Sequence, residues 1–232
     1  MTAKAGGGSP GGSSSGGGSS FASSATRPRP APGRLERWLG PFLGEAHTAI
    51  LSGERVYLRP PRQMDFEGWA RVRAGSRAFL APWEPTWPDD ALSRGAYRRR
   101  LAAYGVDWRK DAGYNFFLFG RGDDALLGGI GLANVRRGVV QSASLGYWMG
   151  AAHAGQGYMT EGLSAVLAFS YDRLHLHRLE AACLPSNMAS RRLLAKCGFR
   201  EEGYARKYLC INGVWQDHVL FGQLAEEWRQ SR

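Results

Sequence analysis

With 232 residues, 44% of them hydrophobic, the chain is long enough for one domain with its own core. No run approaches 18 apolar residues and no apolar stretch follows the start, so neither a membrane-spanning helix nor a secretory signal is expected. The net charge of +10 suits an anionic cofactor or RNA-rich surroundings, but it does not establish nucleic-acid binding, and sequence-specific recognition is not expected.

Residues 1–20 hold eight Gly, six Ser and no acid, and 26–33 add a Pro/Arg stretch. So little apolar surface cannot offset the entropy of ordering, and 1–33 is expected to be a disordered tail. A short helical lead-in is expected at 34–49, around Leu35, Trp38 and Leu39 and ended by Pro41. The folded body, 50–228, opens with a strand at Arg55–Arg59 that Pro60 and Pro61 close. A helix follows at Asp65–Arg73, with Phe66, Trp69 and Val72 on one face. Three prolines forbid a continuous helix across Phe79–Pro88, leaving a rigid loop with two tryptophans and Glu84. Residues 91–109 read as a basic helix whose Arg98-Arg-Arg100 cluster forms a solvated face.

The period then changes to that of strands at Asn115–Phe119, Ala125–Val135 and Val139–Met149, joined by short turns into an antiparallel meander. A helix at 158–172, a strand at Arg178–Leu184 and a helix at 187–197 stopped by Gly198 come next. Asn212-Gly213 then joins the strands Tyr204–Ile211 and Val214–Phe221 as a hairpin. This order makes a mixed α/β fold around one mostly antiparallel sheet.

The strand ending Tyr147-Trp148-Met149 runs into Ala154-Gly155-Gln156-Gly157-Tyr158-Met159-Thr160 and a helix start. Glycines let the backbone approach a ligand, and the first free N–H groups of a helix favour an anion. A phosphate or pyrophosphate site is expected here, although a tight strand-to-helix turn also accounts for Gly-x-Gly. No lysine follows Gly157, which excludes a P-loop. Gly129-Ile-Gly131 lacks a third glycine and lies inside a strand-like run, so it is not a dinucleotide fingerprint. Cys183, Cys197 and Cys210 show neither CxxC nor His-paired spacing; buried, reduced structural thiols, a cytoplasmic location and no metal site are expected.

About thirty residues on, Asn187 stands where a helix N-cap belongs and Ser190 lies three residues into the helix. Asn-x-x-Ser followed by Gly-Phe, downstream of Gly-x-Gly-Tyr-x-Thr-Glu, resembles the GNAT superfamily of acetyl-CoA-dependent N-acetyltransferases. Leu80-Ala-Pro-Trp-Glu-Pro85, Leu145-Gly-Tyr147, His177-Arg178, Gly203–Leu209 and Asn212–Val219 narrow the resemblance to RimJ-type ribosomal-protein-alanine N-acetyltransferases. It spans roughly residues 50–228 and implies a GNAT fold, its sheet splayed after the fourth strand and flanked by helices.

The resemblance implies a pantetheine arm pairing with the strand ending Tyr147-Trp148-Met149 and hydrogen-bonded by Asn187. It also implies a pyrophosphate held by the N–H groups of Ala154 through Thr160. Ala152 departs from the family, which often carries Arg or Gln there, and Arg191-Arg192 either meets a 3′-phosphate or is an exposed helix face. In the implied mechanism a neutral amine attacks the thioester directly, with the Met149 N–H stabilising the oxyanion. The tyrosine many relatives carry seven residues after the Asn is Leu194 here; Ser190, which matches the RimJ/RimL-like pattern, is the proton donor to the thiolate that the resemblance implies. An α-amino group, with a pKa of about 7.7–8.0, needs only a weak base. Glu84 is the first candidate, bonding of its own loop being the alternative; dipole stabilisation accounts for Glu161, and a cross-strand pair with Arg206 or Lys207 for Asp217.

The expected acceptor is a protein N-terminus, alanine of a ribosomal protein first, with possible ribosome association and a monomeric or dimeric state. Two alternatives stay open: acetylation of a small amine such as a polyamine or antibiotic, and a non-catalytic CoA-binding ribosome-assembly factor.

Overall fold

The computed structural model describes residues 49–232; the tail at 1–33 and the lead-in at 34–49, its last residue apart, lie outside the described residues. Among these residues, eight strands form one sheet: β1 (Leu51–Ser52), β2 (Val56–Arg59), β3 (Tyr114–Gly120), β4 (Leu126–Arg136), β5 (Ser142–Met149), β6 (Arg178–Cys183), β7 (Arg200–Ile211) and β8 (Val214–Leu224). Their order is β1-β2-β3-β4-β5-β6-β8-β7. Every neighbouring pair is antiparallel except β5 and β6, which run parallel.

That parallel pairing joins Ser142–Ser144 to Arg178–Glu180 and stops. β6 continues along β8 to Cys183, while β5 continues along β4 to Met149, so the sheet splits between them. The expected splay is therefore present; it follows the fifth strand because the two-residue β1 was not anticipated.

Among the described residues, six α-helices accompany the sheet: α1 (Phe66–Gly75), α2 (Arg77–Leu80), α3 (Arg94–Arg109), α4 (Tyr158–Ala168), α5 (Met188–Lys196) and α6 (Ala225–Gln230). Strand side chains alternate between faces, and here both faces are filled. On one, Leu163, Val166 and Leu167 of α4 and Leu194 of α5 pack in the same cluster as Leu118, Ile130, Leu132 and Leu179. On the other, Trp69 of α1 and Tyr97 of α3 pack with Phe117, Phe119 and Leu126. Burying each such side chain contributes roughly 1.5–3 kcal/mol. Two covered faces explain the unbroken apolar run Phe116–Phe119 in β3.

The Phe79–Pro88 segment does break as expected: α2 gives way to a 3-10 turn at Ala81–Trp83 and then to open loop. The far hairpin braces this loop, because the N–H of Asn212 donates to the carbonyl of Glu84 at 3.0 Å. The thiols depart in part from expectation: all three are free, but Cys210 is exposed, Cys197 half-buried and only Cys183 fully buried. Burial pushes the Cys183 thiol up and Cys197 to about 11, so both stay protonated near neutrality.

Candidate active site

The free edge of β5 is the first component. The Gly150 N–H donates to Leu127 on the β4 side, and main-chain direction alternates along a strand. The main-chain groups of Leu145, Tyr147 and Met149 therefore face the opened gap. Those of Trp148 point into the β4 ladder, which corrects its assignment as a main-chain cofactor contact.

Beyond β5, a 3-10 turn (Ala151–His153) leads into Gly155 at φ 76° and Gly157 at φ 85°. This left-handed region is open to glycine and costly for other residues. Gly157 caps α4, whose first turn leaves its N–H groups without intrahelical acceptors. Among the described residues, no protein acceptor meets the N–H groups of Gly155, Gln156, Gly157, Tyr158, Met159 or Thr160. Ala154 is the exception to the expected cradle, since its N–H is spent on Ala151 at 3.3 Å. The Met159 side chain is buried in the core, leaving only its backbone to serve a ligand.

Arg55 reaches this turn from the start of β2, a partner that sequence reasoning missed because about 100 residues separate them. Its guanidinium pairs with Glu161 at 2.5 Å, donates to the Gln156 carbonyl at 3.2 Å, and lies 4.8 Å from the Tyr158 ring centroid. A cation thus stands at the turn even though Ala152 supplies none. Desolvation opposes ionisation of Glu161, but main-chain and side-chain hydrogen bonds from Arg55 outweigh it and hold the carboxyl below its ordinary range. Glu161 therefore clasps Arg55 in addition to facing the helix dipole.

Across the gap, Asn187 caps α5: its Oδ1 accepts the Ser190 N–H at 3.0 Å. The amide NH₂ keeps its donors for a ligand. The Ser190 hydroxyl lies 2.6 Å from the Tyr147 hydroxyl, a bond that spans the split sheet. Burial pushes the Tyr147 phenol above its usual range, so it stays protonated and can donate. The Cys183 thiol stands beside the same serine. Arg191 pairs with Glu201 at 2.9 Å.

The opposite face of the sheet carries a cavity of about 600 Å³. Gly131 pairs with Gly146 and with Asn115, so its floor is one row across three strands, open at Gly146 and covered at Gly131 by the Asn115 side chain, whose Oδ1 a Cβ there would meet at 2.7 Å. Gly129 leaves room for the Trp148 indole, since a Cβ there would come within 2.6 Å of its Nε1. The Gly129-Ile-Gly131 pair is thus a packing feature of β4. Glu84 lines this cavity with its carboxylate bound bidentately to Arg73 at 2.7 and 2.6 Å and to Trp87 Nε1 at 2.8 Å. Its Oε1 accepts one of these bonds and keeps a lone pair. Arg73, 9% exposed, has its guanidinium 4.2 Å from the Trp87 ring and 5.0 Å from Trp148. Arg99 and Arg100 are exposed, as the expected solvated face requires, and they also border the cavity. Asp217 accepts from the Tyr204 hydroxyl and the Lys207 N–H instead of forming the expected side-chain ion pair.

A ligand held along the free edge of β5 and another held in the cavity would meet at that edge from opposite faces, as a two-substrate transfer requires. No helix of the described residues is long and apolar enough to cross a membrane. The family model for the acetyltransferase (GNAT) domain matches residues 55–200. The chain is 38% identical over 175 residues to Probable N-acetyltransferase YjcK of Bacillus subtilis strain 168, spanning 75% of this chain and 97% of that protein. It is 33% identical over 182 residues to the ribosomal protein uS5-alanine N-acetyltransferase of Escherichia coli strain K12, spanning 78% and 94%. The solved structure of Mycobacterium smegmatis RimJ in complex with CoA-disulfide superposes with a TM-score of 0.74 at 32% identity, covering 78% of this chain and 90% of that one. The chain belongs to the GNAT acetyltransferase family and is an acyltransferase.

Proposed function

We propose that the protein transfers acetyl from acetyl-CoA to the α-amino group of a protein N-terminus, alanine of a ribosomal protein being the leading acceptor. The observation that carries this reading is the unpaired edge of β5, which leads into a turn of unengaged N–H groups and backs onto a separate cavity. These groups fit acetyl-CoA chemically: an edge strand suits an amide-bearing arm, and the turn with Arg55 suits a diphosphate. The acceptor class is supported by the likeness to the uS5-alanine enzyme. Three free cysteines suit a reducing compartment such as the cytoplasm.

When bound, acetyl-CoA supplies an activated thioester. Gly155 to Thr160 and Arg55 hold its diphosphate, while Asn187 and the main chain of Tyr147 and Met149 hold its arm. The Met149 N–H donates to the carbonyl oxygen as negative charge develops there. Ser190 donates a proton or hydrogen bond to the departing sulfur, its hydroxyl oriented by Tyr147. Glu84 takes the proton that the amine loses on the free lone pair of Oε1, directly or through water, and releases it to solvent, from which Ser190 regains the proton it gives the sulfur.

The test incubates the protein with acetyl-CoA and alanine-initiated peptides. Free CoA and a peptide bearing one acetyl group on its α-amine are the expected products. Turnover of polyamines or aminoglycosides with no peptide acetylated would replace the protein acceptor by a small amine. No turnover with either class would leave only CoA binding.

A further inference from the structure

The acceptor cavity holds one charge that acetyl transfer does not use. Five charged side chains line it: Arg73, Glu84, Asp90, Arg99 and Arg100. Arg73 is paired with Glu84, and Arg99 Nη2 stands 2.5 Å from Asp90 Oδ2. Arg100 meets no carboxylate among the described residues. Its Nη1 donates to the Tyr104 hydroxyl at 3.3 Å, and its guanidinium lies 5.6 Å from the Trp69 ring centroid. A guanidinium offers five N–H donors in a planar fork that matches a carboxylate bidentately, and most of this fork is unspent.

The floor fixes where a partner carboxylate would fall. Gly146, Gly131 and Asn115 form one row from β5 to β3. Two strand spacings make that row about 10 Å long. A Cβ on Gly146 would meet nothing within 4 Å, so this end of the floor is open to an incoming backbone. α3, which carries Arg100, packs over β3. An extended chain advances roughly 3.3 Å per residue. If its amine sits at the β5 edge, its third or fourth residue lies beneath α3.

We infer that Arg100 makes the enzyme select acceptor chains carrying an acidic side chain at the third or fourth residue from the acetylated amine. The inference rests on the protein-acceptor reading above and names the class of chain that reading leaves open.

The test compares alanine-initiated peptides that differ only by Glu, Gln or Lys at position 3 or 4. The Glu peptide should exceed its Gln counterpart roughly tenfold in kcat/KM at low salt, with the ratio shrinking as ionic strength rises. Arg100→Gln should bring the ratio close to one, and Arg100→Glu should turn the preference toward the Lys peptide. A ratio near one in the unaltered protein at both positions overturns the inference, as does a preference that survives Arg100→Gln. In either case acetylated peptide still appears, so the acetyltransferase reading stands. If only small amines are acetylated, the protein-acceptor reading and this inference fall together.

Discussion

Replacing Gly157 with alanine perturbs the turn at φ 85°, where a new Cβ would also stand 3.1 Å from Arg55 Nη2. Left-handed backbone costs a non-glycine residue about 1–2 kcal/mol. In a domain of this size each kcal/mol moves Tm by about 2–4 °C, so a fall of roughly 2–8 °C is expected. The guanidinium, at the end of a flexible side chain, swings aside and gives up its bond to Gln156. Gly155 provides the internal control: its φ is 76° but a Cβ there meets nothing within 4 Å, so Gly155→Ala should carry the backbone cost alone. Each N–H displaced from a diphosphate forfeits about 1.5–3 kcal/mol, or roughly tenfold to 150-fold in CoA affinity. Thermal unfolding followed by circular dichroism and titration calorimetry with CoA read the two effects separately. A Gly157→Ala protein that binds CoA as tightly as the parent, despite a lowered Tm, would refute the assignment of the turn to the diphosphate.

Tyr147→Phe removes the 2.6 Å bond to Ser190 and should lower kcat by about tenfold with KM for acetyl-CoA unchanged. Ser190→Ala should lower kcat about a hundredfold, and a rise in KM with kcat intact in either variant would reassign the pair to cofactor binding. Arg73→Leu leaves the largely buried Glu84 carboxylate unpaired and should cost on the order of 3 kcal/mol, with Arg73→Leu/Glu84→Gln recovering part of it in chemical denaturation. No recovery would mean that the Trp87–Arg73–Trp148 packing matters more than the charge pair. Because the Glu161 carboxyl is held below its ordinary value of 4.5, its contribution to stability is complete above that pH and is lost as pH falls through the depressed folded value. Unfolding curves across this acid range should therefore be shallower for Glu161→Gln than for the parent.

Most elements were legible because hydrophobic period and turn chemistry are local. The Asn212-Gly213 hairpin, the stop of α5 at Gly198 and the broken Phe79–Pro88 segment all follow from residues within a few positions of one another. The two-residue β1 and the short α6 carry too few residues to establish a period. Near the site, the motif residues Asn187 and Ser190 were visible, but their partners were not. Arg55 at the turn, Tyr147 bonded to Ser190 and Arg73 clasping Glu84 are long-range pairings decided by strand order, which no spacing along the chain encodes. Arg99 and Arg100 are exposed, as the sequence suggests, but that they also border the cavity is set by the fold and not by local spacing.

The bond from Asn212 to Glu84 ties the cavity wall to a segment about 130 residues further along the chain. During synthesis, the tryptophan-bearing loop emerges long before the hairpin that props it, and contacts of such separation form late. The wall of this cavity is therefore finished only once that hairpin has folded, so a chain truncated ahead of it would lack the support for the tryptophan-bearing loop.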